Sequence, residues 1–303
     1  MKRLFGSLHI TLALFIVLSG CSVFGAGSNQ LTLGAKTFTE QQLLSEMTFH
    51  LLENEGYNVR QMSNLGSNVV RTALENGQVD LYWEYTGTAL VSYMGEDPIA
   101  DPDDAFAEVK RLDKENGIDW INVSDVNNTY TLLMRQEEAD ELGIETLSDL
   151  ADYVNENPNT LSFGTDGEFA NRPDGLPSVE ETYDFAFGAG QLRQMDAGLI
   201  YEALYNEELN VGLGYETDPR IDQYDLIPLE DDQSVFPPYN VAVTINEDVL
   251  TEHPDIEELT KELADKLDIE IMRQLNYEVD VEGQSVSIVA YNWLVENGLL
   301  EED

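Results

Sequence analysis

"LGSNVVRTALENGQVDLYWEYTGTAL", residues 65 to 90, decides the fold. Ser67 stands where a helix N-cap belongs, Val69, Val70, Ala73 and Leu74 share one helical face, and Gly77 sits where a C-terminal glycine closes a last turn. Residues 79–85 then read as a strand. Strand alternation sets Val79, Leu81, Trp83 and Tyr85 on one face, with Tyr82 and Glu84 on the other. Upstream, Leu31 to Ala35 alternates as a first strand. Thr39-x-x-Gln42 has the pattern of a capping box ahead of the stripe Leu43, Leu44, Met47, Leu51 and Leu52, and Gly56 ends that helix. Strand and helix alternating through short connections predict a largely parallel sheet covered by helices.

The unit has an echo. "ALENGQVDLYWEYTG" (73–87) is matched by "ALYNEELNVGLGYET" (203–217): helix end, polar turn, strand, then a tyrosine at the strand's end. Two α/β lobes of related design follow. "NNTYTLLMR" (127–135) and "PPYNVAVTI" (237–245) are extended apolar segments suited to crossing between them. Helices are expected from about Ile256 to Leu275 and from Ser285 to Asn297.

The chain opens on Met1-Lys2-Arg3, runs through a short apolar stretch from Leu8 to Leu18, and reaches Leu18-Ser19-Gly20-Cys21. This is the pattern of an export signal, too brief to span a bilayer core of ~30 Å. Small residues before a cysteine mark Cys21 as the lipidated first residue of a mature lipoprotein; the alternative is a plain signal with an incidental cysteine. Residues 22–29 read as a tether. Cys21 is the only cysteine, which excludes a disulfide framework and a cysteine metal site.

Without Lys2 and Arg3 the chain carries 59 acidic against 13 basic residues, a net of −46, and its 42% hydrophobic content excludes simple disorder. A folded surface this acidic repels itself unless salt screens it, which points to a halophile's exported protein. On the same ground, nucleic acid and anionic membranes are not expected as partners. DPDD (101–104) and LEDD (229–232) lack the spacing of a calcium loop, and no cofactor is expected.

Catalysis is poorly supplied. His9 lies in the signal, His50 in the first helix, and His253 before a proline. There is no G-x-S-x-G elbow, phosphate loop or H-E-x-x-H pair. Binding is better supplied, since open α/β sheets take ligands at the carboxyl ends of their strands. Lys36 follows the first strand, Tyr85 ends the strand at 79–85 with Thr88 behind it, and Tyr215 ends the echoed strand. Tyr130 and Tyr239 lie on the two crossovers, and Arg172 stands in the loop "FANRPDGLP". Each tyrosine is equally readable as a core residue with its hydroxyl satisfied, and each cation as half of a structural ion pair.

"GAKTFTEQQLLSEM", "LGSNVVRTALENGQVDLYWEYTGTAL", "RPDGLP", "MDAGLIYEAL" with "YETDPRI", and "PPYNVAV" together resemble the quaternary-ammonium solute-binding proteins of osmoprotectant ABC transporters. The resemblance covers the mature chain in order. It implies an α/β, two-lobed periplasmic-binding-protein fold of type II, with two crossover strands as hinge. On this sequence that means a signal at 1–20, a tether at 21–29, lobe 1 at 30–129 and 239–303, and lobe 2 at 130–238. It further implies a cage of Tyr85, Tyr130, Tyr215 and Tyr239 around a trimethylammonium head, and Lys36, Arg172 and Thr88 holding a carboxylate. Asn128 replaces the acidic residue that the family often has there, leaving its backbone carbonyl to contact the methyl groups. The implied partners are glycine betaine or a related solute, a membrane permease with its ATPase, and the membrane through the lipid. The physics agrees: a quaternary ammonium has no N–H to donate, whereas each desolvated ring face contributes ~0.5–2 kcal/mol. Tyr82 and Trp83 are expected in the core, Tyr85 at the ligand, and Glu84 as a structural partner. A choline-type cation binder, a sensor domain or an enzyme on the same lobes are the alternatives.

Overall fold

The computed structural model describes residues 29–301. The export signal, Cys21 and the tether up to residue 28 lie outside the described residues. Two five-stranded sheets form. The first holds β1 (Gln30–Lys36), β2 (Asn58–Leu65), β3 (Leu81–Tyr85) and β4 (Ile118–Ile121), together with a strand from much later in the chain, β10 (Val241–Asn246). The second holds β5 (Tyr130–Arg135), β6 (Phe163–Thr165), β7 (Leu192–Gln194), β8 (Val211–Tyr215) and β9 (Leu226–Pro228). Their orders are β2-β1-β3-β10-β4 and β7-β6-β8-β5-β9.

In both sheets one strand runs against its neighbours. β10 pairs antiparallel with β3 and β4, and β5 with β8 and β9, while β1 with β2 and β6 with β8 are parallel. This reversal builds the site. An antiparallel strand begins where its parallel-sheet neighbour ends, so Val241 opens β10 opposite Tyr85 at the end of β3. Likewise Tyr130 opens β5 opposite Tyr215 at the end of β8. The echoed units thus deliver their terminal tyrosines to one edge of each sheet, where both crossovers arrive.

All five residues of β3 are buried, as in a strand covered on both faces. Trp83 donates its indole N–H to Thr48 Oγ1 of α1 (Thr39–Asn54) at 2.9 Å, whereas Tyr82 packs in the smaller core on the opposite face. Four local expectations need correction. α1 has no capping box: Thr39 Oγ1 instead donates to Asp280 Oδ1, and Gln42 turns back to the Thr37 carbonyl. The helix α2 (Ser67–Glu75) starts from Gly66 without a side-chain cap, and its Val69 is 57% exposed while Val70, Ala73 and Leu74 are buried. Val69 lies one position off the stripe, about 100° around the helix from Val70. The apolar run near the C-terminus also breaks into Asp255–Ala264 and Ile269–Asp280, because Asp268 opens a new helix by accepting from the Ile271 N–H.

The crossovers run side by side. Asn127 and Asn240 form an antiparallel bridge, Asn128 N–H donates to the Tyr239 carbonyl, and Val241 N–H donates to that of Val126. This is the two-sheet, two-crossover architecture that the resemblance implies. No described helix is long and apolar enough to cross a membrane.

Candidate functional site

All eight residues nominated for the ligand line one cavity of about 100 Å³ between the sheets: Lys36, Tyr85, Thr88, Asn128, Tyr130, Arg172, Tyr215 and Tyr239. It adjoins a wider cleft of about 590 Å³ with which it shares Phe38, Asn128, Asp166 and Tyr215. Tyr130 is central, with ring centroids 5.4 Å from Tyr215 and 5.0 Å from Tyr239. Phe38 completes the wall at 6.1 Å from Tyr85 and 6.2 Å from Tyr215, stacked on the latter. Phe38 was not singled out from the sequence. Its signal was its place inside Lys36-Thr37-Phe38-Thr39-Glu40, one turn from the strand end.

The Thr86-Gly87-Thr88 turn couples lobe to crossover. Thr86 donates its N–H to the Asn240 carbonyl and its hydroxyl to that of Pro238. A side chain at Gly87 would start 2.8 Å from the Tyr239 ring and 2.9 Å from the Pro238 carbonyl, so glycine is needed for close approach. Thr88, which lines the cavity, opens a π-helical segment, Thr88–Tyr93.

Both cations arrive already paired. Lys36 Nζ lies 2.5 Å from Glu84 Oε1 and 5.0 Å from the Tyr85 centroid. Glu84 is fully buried and also accepts from Tyr85 N–H and from the hydroxyls of Tyr82 and Tyr93, which makes it the structural partner expected. Arg172 grips Asp174 with two bonds of 2.6 and 2.7 Å. Its other bonds go to Tyr130 OH at 2.6 Å, Glu168 Oε1 at 3.1 Å and Thr88 Oγ1 at 3.2 Å. A guanidinium has five N–H donors, and all five are engaged. With each cation neutralised by its carboxylate, Lys36 and Arg172 present little net positive charge to a cationic ligand.

Carboxylates behind the rings were missed in the sequence, where acidic residues are too common to stand out. Tyr85 OH donates to Glu40 at 2.6 Å, Tyr239 OH to Asp174 at 2.7 Å, and Tyr215 OH to Asp166 at 3.1 Å. Burial pushes the Glu40 carboxyl up, against bonds from Tyr85, Thr217, Asn128 and Asn276 that pull it down. Burial likewise raises Asp166. Asn128 donates its amide to Glu40 at 3.1 Å, while its side-chain oxygen has no partner. Of the two acidic tracts, Asp101 caps the helix Pro102–Asp113, and Asp231 accepts from Tyr183 OH and from the N–H groups of Val235 and Phe236.

Residues 29–296 match the family described as the substrate-binding domain of the ABC-type glycine betaine transport system. A glycine-betaine-binding protein of Pseudomonas aeruginosa is 40% identical over 295 residues, 95% of each chain. A carnitine transport binding protein of Listeria monocytogenes is 37% identical over 306 residues, 98% of this chain and 97% of its own. The crystal structure of a glycine betaine/carnitine/choline ABC transporter protein superposes with a TM-score of 0.71 at 33% identity, covering 89% of this chain and 99% of that one. The chain therefore belongs to the family of substrate-binding domains of ABC-type glycine betaine transport systems, extracytoplasmic proteins with the two-lobed periplasmic-binding-protein fold.

Proposed function

We propose that this protein captures glycine betaine or a closely related quaternary ammonium osmolyte and delivers it, without chemical turnover, to a membrane permease driven by a partner ATPase. The observation that carries the reading is the ring-walled cavity with Arg172 and Thr88 in its wall. Tyr85, Tyr130, Tyr215 and Tyr239 take the trimethylammonium head, with the Asn128 segment closing that end. Arg172, Thr88 and Lys36 take the carboxylate. Because the guanidinium is saturated, the ligand must replace one of its partners. Glu168 is the replaceable one: it is 42% exposed, whereas Asp174 is 3% exposed. Capture then swaps a surface carboxylate for the ligand's own, and the solvated Glu168 loses little on release.

With this reading goes a division into lobe 1 (30–129 and 239–303) and lobe 2 (130–238), the paired crossovers bending as the lobes close. Lipidation at Cys21 after removal of residues 1–20 would keep the protein at the outer face of the membrane, near the permease.

A choline-type ligand is the second reading, favoured by the pairing of Lys36 with Glu84 and Arg172 with Asp174. Glu40 and Asp166 add negative charge that neither cation answers. Calorimetric titration with glycine betaine, proline betaine, carnitine and choline in high salt tests both. Betaines binding more tightly than choline support the first reading, the reverse order the second, and no binding of any refutes both. Ligand recovered unchanged supports capture without turnover.

A further inference from the structure

The four cage hydroxyls differ in what they do. Those of Tyr85, Tyr215 and Tyr239 each donate to a carboxylate, of Glu40, Asp166 and Asp174. That of Tyr130 accepts from Arg172. A phenol that donates to an anion moves partway toward phenolate, and its ring face becomes richer in electrons. A phenol that accepts from a cation becomes poorer. The three donors and the acceptor therefore present unequal faces to a ligand.

We propose that Glu40 and Asp166, with Asp174, are positioning residues that act through the rings of Tyr85, Tyr215 and Tyr239, and that this carboxylate layer selects the charge of the ligand head. Tyr130 selects mainly its shape. The inference rests on the quaternary ammonium reading of the same cavity and deepens it.

Three facts beyond the hydrogen bonds support it. Glu40 is 2% exposed, and its two close donors, Tyr85 OH and Asn128 Nδ2, both reach Oε1, leaving Oε2 without one. Among the described residues, no lysine or arginine side chain pairs with Glu40 or Asp166. Burial disfavours both charges, so a cation entering the cage would relieve a cost already present. Asp174 is different, because it also grips Arg172, and its replacement would disturb the carboxylate end as well.

The test uses Glu40→Gln and Asp166→Asn, which keep shape and an accepting oxygen but remove the charge. Each variant and the wild type are titrated with glycine betaine and with 3,3-dimethylbutanoate, its isostere with a neutral tert-butyl head. Cation–ring attraction strengthened in a dry site predicts that each substitution lowers the preference for betaine over isostere by about fivefold or more. A merely structural role lowers both affinities together and leaves the preference level, which would overturn the proposal. Tyrosine-to-phenylalanine variants provide a second measurement should the charge variants fold poorly. Tyr85→Phe and Tyr215→Phe should narrow the same preference, and Tyr130→Phe should not; equal narrowing by all three also overturns it. A wild type that binds betaine while all preferences stay level refutes this proposal alone. A wild type that binds neither solute refutes the function beneath it as well.

Discussion

Arg172→Ala separates reading a carboxylate from holding a loop. The substitution removes five hydrogen bonds and strands Asp174, which keeps only the hydroxyls of Tyr239 and Ser92. Breaking a buried pair from one side costs ~3–5 kcal/mol, so the unfolding midpoint should fall by roughly 5–15 °C. Binding is a separate ledger. Losing one partner of a buried charge contact costs a ligand ~2–5 kcal/mol. Against this stands the Glu168 contact that the ligand would have displaced, worth ~0–1 kcal/mol. Glycine betaine should therefore weaken by at least about tenfold, equivalent to ~1.4 kcal/mol. Choline should hold level or gain, since Asp174, freed of its cation, still sits against the Tyr239 hydroxyl. The assay is paired calorimetry of both ligands on both proteins in identical high salt, below the variant's melting range. Equal losses for the two ligands would refute the reasoning and leave Arg172 a structural clamp.

Lys36→Met should lower the unfolding midpoint because Glu84 is left buried without its cation, a loss of ~3–5 kcal/mol, and the double variant with Glu84→Gln should recover much of it; an unchanged melt in the single variant would dismiss the structural role. Gly87→Ala should weaken betaine binding by about tenfold or more by pushing the Tyr239 ring, 2.8 Å from the new methyl, out of the cage; unaltered affinity would show that the turn can yield. Dilution from molar to millimolar salt should lower the melting midpoint, as removing screening lets the acidic surface repel itself, and a flat or rising midpoint would end the halophile argument. Betaine binding should release protons at mildly acid pH. Burial holds free Glu40 above its ordinary value of 4.5, with Tyr85, Asn128, Thr217 and Asn276 facing it, and a cation nearby brings it down. Titrations in two buffers of different ionisation enthalpy that give the same heat would contradict this. The same raised value means Glu40 favours folding most below 4.5, a contribution lost as pH rises through the folded value.

Much of this was legible because it depends on short-range pattern. Tyr85 and Tyr215 could be placed at strand ends from the echo of residues 73–87 in 203–217, and strand ends are where open α/β sheets generally take ligands. Tyr130 and Tyr239 lay in extended apolar segments suited to crossing between the lobes. What stayed hidden depends on partners far apart in sequence. The Lys36–Glu84 pair joins residues 48 positions apart, and Asp174 reaches Tyr239 across 65. Glu40 and Asp166 were lost among 59 acidic residues, where only burial tells a polarising carboxylate from a solvating one. The capping signals at Thr39 and Ser67 failed for a related reason. Thr39 takes a tertiary partner 241 residues away in Asp280, an option that local pattern does not weigh.

The interleaving of β10 between β3 and β4 also constrains the order in which the protein can form. Residues 130–228 contain every strand of the second sheet, so that half can fold from a contiguous stretch of chain. The first sheet cannot: β4 has no strand neighbour but β10, and Thr244 meets Tyr82 across 162 residues. A nascent chain released only to residue 125 would hold three strands, β1 to β3, and an unpaired β4, an open edge of the kind that invites aggregation. Folding of residues 130–228 first would draw 129 and 239 together at the Asn127–Asn240 bridge and shorten the loop that β10 must close. The middle of the sequence thus serves as the scaffold on which its two ends are joined, and the ligand cavity exists only after the last strand has been threaded home.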